Sequence, residues 1–240
     1  MPRTALVTGG VTGIGAATAK LLKEKGYGVA VNYFGNDEEA DRFVEETGIP
    51  AYSWNVASFS ESRDGIAKVV AELGSIDILI NNAGITRDGT LHKMTEEQWR
   101  SVIDVDLGGC FNMCRAVIEG MRARRFGRIV NISSVNGLSG QFGQTNYAAA
   151  KAGVIGFTKA LALENAKKGV TVNVICPGYI DTEMVAAVPE NVLAQIIAGI
   201  PVGRLGKGEE IADMVSFLSG ERAGFVTGAT LSLNGGQYMA

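Results

Sequence analysis

Histidine, cysteine and proline are all scarce in this sequence, with one, three and five residues among 240. The lone His92 has no partner with which to build a metal centre or a serine-hydrolase triad, and it reads as a surface residue. Cys110 and Cys114 stand at helical spacing, but no nearby Cys or His completes a zinc site, so no metal is expected. These two and Cys176 read as reduced, packed thiols, which suits a cytoplasmic protein. Long apolar runs are missing too: none approaches the ~18 residues that a membrane helix needs. Met1-Pro2-Arg3-Thr4 leads straight into an apolar strand without a signal-peptide pattern. Charge of one sign is also lacking. Lys and Arg number 22 against 25 Asp and Glu, a net charge of −3, and the signs are well mixed. Neither nucleic acid nor a membrane surface is therefore an expected partner. The one basic concentration is Arg122, Arg124, Arg125 and Arg128. It reads as a solvated helix end, or as a dock for an acidic carrier or a phosphorylated substrate.

What the chain does have is apolar content, at 46% hydrophobic and 20% charged residues, enough for one large core. Short β-branched runs recur at Ala5–Val7, Val29–Val31, Ala51–Trp54, Ile76–Ile80, Arg128–Ile132, Val170–Ile175 and Thr230–Leu233. Several are apolar on both faces, as parallel strands between helix layers must be. Helical patterns separate them, among them Ile14–Lys25, Glu38–Glu46, Ser60–Leu73 and Tyr147–Leu163, and Thr95-Glu96-Glu97-Gln98 reads as a capping box. The expected fold is α/β: a single-domain, Rossmann-type, doubly wound parallel sheet of seven strands with helices on both faces, spanning residues 1–240. No linker or internal repeat interrupts it.

The first strand runs into Thr8-Gly9-Gly10-Val11-Thr12-Gly13-Ile14-Gly15 and then a helix. Glycines at this position let the backbone turn tightly and approach a pyrophosphate, while the helix N-terminus offers free N–H groups and a positive dipole end. No Gly-Lys-Ser/Thr follows, which argues against a triphosphate P-loop. The second strand ends Val31-Asn32-Tyr33-Phe34-Gly35, with no acid until Asp37. An acid at the strand end would bond a ribose 2′-hydroxyl and repel a 2′-phosphate, so its absence favours NADPH over NADH. Arg3 and Arg42 are the candidate partners for that phosphate.

Asn131-Ile132-Ser133-Ser134 closes the fifth strand, and Tyr147-Ala148-Ala149-Ala150-Lys151 opens the following helix. The i, i+4 spacing puts Tyr147 and Lys151 on one helical face. Carbonyl reduction leaves an oxygen that must be protonated, and a free tyrosine, titrating near ~10, is a poor acid or base near neutrality. A lysine cation beside it stabilises the phenolate. Ser134 is placed to hydrogen-bond the carbonyl oxygen.

Taken in order, Thr8-Gly9-x-x-x-Gly13-x-Gly15, Asn81-Asn82-Ala83-Gly84, Ser134, Tyr147 with Lys151, and Pro177-Gly178 resemble the short-chain dehydrogenase/reductase family over essentially the whole chain. The resemblance implies catalysis by Ser134, Tyr147 and Lys151. It also implies a cofactor held by Gly9, Val11, Thr12, Gly13, Ile14, Gly15, Asn32, Tyr33, Asn55, Val56, Asn82, Ala83, Gly84, Tyr147, Lys151, Pro177, Gly178 and Ile180. Family members are commonly homotetramers, with the Tyr147–Leu163 helix at an interface. One position departs. Where the family has Asn-x-Asn-Leu or Asp-x-Asn-Leu, this chain has Asp104-Val105-Asp106-Leu107. In the family that Asn holds a helix kink, and its backbone carbonyl binds a water of a proton relay. Asp106 is carried as the fourth catalytic residue, because it keeps the carbonyl.

The loop between Ser134 and Tyr147 covers the substrate by the same resemblance. With Ile85-Thr86-Arg87-Asp88, Pro177-Gly178-Tyr179-Ile180 and Ser232-Leu233-Asn234-Gly235-Gly236, it looks like the subgroup that reduces acetoacetyl-CoA to (R)-3-hydroxybutyryl-CoA with NADPH in polyhydroxybutyrate synthesis. That subgroup's substrate contacts fall on Asp88, Gln141, Phe142, Gln144, Gly178 and Tyr179, with an acyl-CoA thioester as partner. The alternative is a 3-oxoacyl-acyl-carrier-protein reductase, for which the Arg122–Arg128 cluster is the candidate carrier dock.

Overall fold

The computed structural model describes residues 2–182, 185 and 190–239. Seven strands form one parallel sheet: β1 (Thr4–Thr8), β2 (Gly28–Tyr33), β3 (Ala51–Ser53), β4 (Ile76–Asn81), β5 (Gly127–Ile132), β6 (Val170–Pro177) and β7 (Thr230–Leu233). Their order is β3-β2-β1-β4-β5-β6-β7. The apolar runs mark every strand, and β7 has the residues expected from sequence. The others differ by one to three residues at their ends, where polar side chains such as Thr4, Thr8 and Asn81 are buried along with the apolar ones.

Alternation along the strands divides the core into two layers. Ala5, Val7, Ile78, Ile80, Val130 and Ile132 face one side, packing on Ala19 and Leu22 of α1 (Gly13–Glu24) and Phe43 of α2 (Asp37–Thr47). Leu6, Leu79, Ile129 and Val172 face the other, covered by Ile66 and Val69 of α3 (Phe59–Leu73). Thr95 opens α4 (Glu96–Val102) through the expected capping box with Gln98. A π-helical turn, Ile103–Gly108, joins α4 to α5 (Gly109–Arg124). Met113, Val117 and Met121 of α5 complete the second layer, together with Ala162 of the long helix that carries Tyr147. Among the described residues no helix is long and apolar enough to cross a membrane.

Two differences from the sequence reading bear on the site. A short helix, α6 (Val135–Ser139), fills part of the stretch read as a loop, and α7 runs Thr145–Asn165, two residues earlier than expected. Of the basic cluster, Arg122, Arg124 and Arg125 are exposed at the end of α5, the solvated helix end expected from sequence, and they also bond neighbouring elements. Arg128 is a buried β5 residue that donates to the Gly127 and Gly220 carbonyls. Arg124 bonds Ile76 O and pairs with Asp77, and Arg122 bonds Asn165 Oδ1. These guanidiniums tie strand starts to helix ends, at the sheet edge opposite the carboxyl ends where ligands bind.

A polar seam crosses the sheet at the β4–β5 pair. Asn81 Nδ2 donates to Asn131 Oδ1 at 2.8 Å, and Asn131 Nδ2 donates to Thr158 Oγ1 of α7 at 2.8 Å. Asn131 is fully buried, so both bonds form away from water. Asn131→Ala leaves Thr158 Oγ1 without this donor and Asn81 Nδ2 with only the Cys114 sulfur at 3.3 Å, and is expected to destabilise the protein by about 2–3 kcal/mol. A urea midpoint within experimental scatter of the wild type would contradict this role.

Candidate active site

The strand order reverses between β1 and β4, which opens a crevice at their carboxyl ends. A cavity of about 510 Å³ occupies it, lined by residues that follow β1, β4, β5 and β6. Thr8 ties the first two together. Its Oγ1 donates to Ile80 O and accepts the N–H groups of Asn82 and Ala83. Asn82 Nδ2 in turn donates to the carbonyls of Thr8 and Gly9, at 3.1 and 2.9 Å. This strap fixes the glycine turn. Gly9 takes a positive φ of 58°, and a Cβ at Gly15 would drive into the Gly9 carbonyl.

A dinucleotide fits this cradle. Thr12 caps α1 without a side-chain hydrogen bond, and the first helical bond runs from Ala16 N to Thr12 O. The N–H groups of Gly13, Ile14 and Gly15 are thus left for an anion at the positive end of the helix. Gly9, Thr12, Gly13, Ile14, Asn82, Ala83, Gly84, Pro177, Gly178 and Ile180 line the cavity; Val11 lies within the turn itself and Gly15 is buried in the first turn of α1.

Around β2 and β3 the expected contacts sit differently. Asn32 is buried, and its amide is committed to Trp54 O at 2.9 Å, bracing β2 against β3. Tyr33 donates its hydroxyl to Asp37 at 3.0 Å. Asn55 accepts the Ala57 N–H in a turn after β3, and Val56 O accepts the Asn112 amide. Arg3 is corrected as a candidate phosphate partner: it precedes β1, whose five residues put it roughly 17 Å from the crevice. It pairs there with Glu221. Arg42 pairs with Glu39 on the exposed face of α2.

Ser134, Tyr147 and Lys151 converge on the same cavity. Ser134 Oγ accepts the Asn136 N–H at 3.1 Å, which leaves its own proton to donate. Ser133 donates to Lys151 O, strapping α7 to the end of β5. The Lys151 ammonium lies 5.5 Å from the Tyr147 ring centroid and donates to Ile132 O at 3.1 Å. It is also 3.2 Å from Asp106 Oδ2. Burial pulls the ammonium's pKa down, but Asp106 outweighs that, and Lys151 is held protonated above the ordinary lysine range. Asp106 itself lies behind Lys151 on the π-helical turn, outside the cavity lining. Its backbone carbonyl accepts the Cys110 thiol at 3.3 Å.

The substrate side is laced across two loops. Gln144 Nε2 donates to Asp88 at 2.9 Å, Asn136 donates to Gln144 Oε1 at 2.9 Å, and Gly89 N donates to Gly143 O. Asp88, Gln144, Gly178 and Tyr179 line the cavity. Burial and the facing Asp88 push the Tyr179 phenol up, while the Asn136 amide pulls it back. Gln141 and Phe142 do not join them; Phe142 is 87% exposed. Sequence reasoning missed Asn136, Thr86 and Thr182, which also line the cavity. Asn136 was hidden because α6, which aims it inward, is too short for a periodic signal. Thr182 was hidden because only the fold sets it against Gly13.

This combination of glycine cradle and Ser-Tyr-Lys cluster defines a nicotinamide-linked oxidoreductase, and the chain belongs to the short-chain dehydrogenase/reductase family. The family model described as enoyl-(acyl carrier protein) reductase matches residues 9–237. The chain is 63% identical to an acetoacetyl-CoA reductase of Rhizobium meliloti (strain 1021), with both chains covered completely. It is 59% identical to an acetoacetyl-CoA reductase of Paracoccus denitrificans, over 99% of each chain. It is also similar to a 3-oxoacyl-[acyl-carrier-protein] reductase of Staphylococcus aureus (strain Mu50 / ATCC 700699), 45% identical over 100% of this chain and 99% of that one.

Asn82→Ala removes two bonds to the glycine turn and is expected to weaken dinucleotide binding about 10- to 100-fold at roughly 1 kcal/mol per bond. Calorimetric titration with NADPH measures this, and unchanged affinity would show that the turn holds itself.

Proposed function

We propose that this protein reduces acetoacetyl-CoA to (R)-3-hydroxybutyryl-CoA with NADPH, with residues 1–240 acting as one catalytic domain. The observation that carries the reading is the convergence of Ser134, Tyr147 and Lys151 on the cavity that also holds the glycine cradle. The substrate class is supported by full-length relatives at 63% and 59% identity whose names state that reaction. When bound, the nicotinamide supplies the hydride. Ser134 donates a hydrogen bond to the 3-oxo oxygen and holds it toward Tyr147. The Tyr147 phenol gives that oxygen its proton, and the Lys151 ammonium stabilises the phenolate left behind. Asp88, Asn136 and Gln144 present a polar wall to the thioester, with Tyr179 flanking the acyl chain.

The absence of an acid between Asn32 and Asn36 supports NADPH over NADH. The carrier-protein alternative is weaker, because the arginines offered as its dock bond backbone carbonyls away from the crevice. We further propose that the protein is cytoplasmic and forms a homotetramer, an assembly that the exposed Phe111 on α5 and Leu163 on α7 would serve.

Purified protein with NADPH and acetoacetyl-CoA should lose reduced-nicotinamide absorbance, faster than with NADH or an acyl-carrier thioester. No loss would sink the reading. Tyr147→Phe should remove nearly all turnover, on the order of 10³-fold, and spare NADPH affinity; substantial residual rate would point to another donor.

A further inference from the structure

Asp106 is fully buried, yet it touches the one cation of the catalytic cluster. Its Oδ1 accepts the Ile85 N–H at 2.9 Å. Its Oδ2, 3.2 Å from Lys151 Nζ, has no aligned hydrogen-bond partner among the described residues. Gly84 closes over the pair: a Cβ there would come within 2.9 Å of Oδ2 and 3.1 Å of Nζ. Backbone therefore lies against both charges, and their interaction is weakly screened.

The charges around the pair are few. Tyr147 faces the ammonium from α7, Cys110 from α5 and Cys176 from β6, with the Ser133 and Ser134 hydroxyls at the end of β5. Burial pushes both thiols up, Cys110 to about 12, so they stay neutral. Beyond Tyr147 stand Tyr179 and Asp88, and Asp88 is exposed to solvent. A lone ammonium would present a full positive charge to the phenol. Burial raises the Asp106 carboxyl, while the Lys151 ammonium and the Ile85 N–H favour its carboxylate; ionised beside Lys151, it leaves only the positive end of a neutral pair facing the phenol.

Resting on Tyr147 as the proton donor, we propose that Asp106 is a positioning residue that acts through Lys151 as its counter-ion. By cancelling part of the ammonium's field, it keeps Tyr147 protonated to higher pH. Carbonyl reduction, which needs the phenol, then persists further into the alkaline range. Alcohol oxidation, which needs the phenolate, begins at higher pH.

The test is the pH dependence of kcat and of kcat/KM, in both directions, for the wild type, Asp106→Asn and the smaller neutral Asp106→Ser. Both variants should move the reduction and oxidation limbs acidward by about 1.5 pH units, the size expected for one charge ~8 Å away at an effective dielectric of ~20. The change should fall on the pH dependence of kcat and leave KM for acetoacetyl-CoA nearly constant. Ultraviolet difference titration of the Tyr147 phenolate, with Tyr147→Phe as the blank, should show the same displacement without substrate. Limbs and phenolate titration that stay in place in both variants would overturn the counter-ion role. If the wild type fails to reduce acetoacetyl-CoA, the functional reading falls instead, and the phenolate titration still decides the role of Asp106.

Discussion

A lysine ammonium taken out of water loses basicity unless acceptors or an opposite charge make up for the lost hydration. Lys151 is 4% exposed, and the surrounding structure is arranged to keep it charged. Ile132 O and the Asp106 carboxylate hold it, and Ser133 pins the backbone of the same residue. These partners come from the end of β5 and the turn before α5 and meet on α7, so placing one ammonium requires three elements in register. The π-helical turn matters for this reason. It swings Asp106 toward α7, where a regular helix joining α4 to α5 would carry the carboxylate elsewhere.

The cofactor half of the site depends on the sheet in a different way. Thr8 and Asn82 sit at the ends of the two strands that flank the reversal in strand order. Their mutual hydrogen bonds close the crevice floor and hold the glycine turn open to an anion. The two halves meet at Gly84, whose backbone follows the Asn82 strap and covers the Lys151–Asp106 pair.

Much of this was legible in the sequence, because periodicity and glycine spacing are local signals. The seven apolar runs located the seven strands, and the Tyr147–Lys151 spacing put both side chains on one face. What stayed hidden depends on long-range geometry. Nothing local shows that Arg128 is buried, since the Gly220 and Gly169 carbonyls it meets are distant in the chain. Asn32 stands near the end of β2 where a cofactor contact was expected, yet its amide turns to Trp54 O, a partner 22 residues away. Asp106 was visible as a departure from pattern, but its contact with Lys151 required the fold.

The central claim is that one carbonyl oxygen meets Ser134 and Tyr147 together, with Lys151 behind the phenol. A crystal structure of the protein with NADP⁺ and acetoacetyl-CoA tests it most directly. The account predicts the 3-oxo oxygen within ~3 Å of both Ser134 Oγ and Tyr147 Oη, a hydrogen-bond distance to each. An acyl group bound with that oxygen turned away from Tyr147, or outside the cavity, would contradict it.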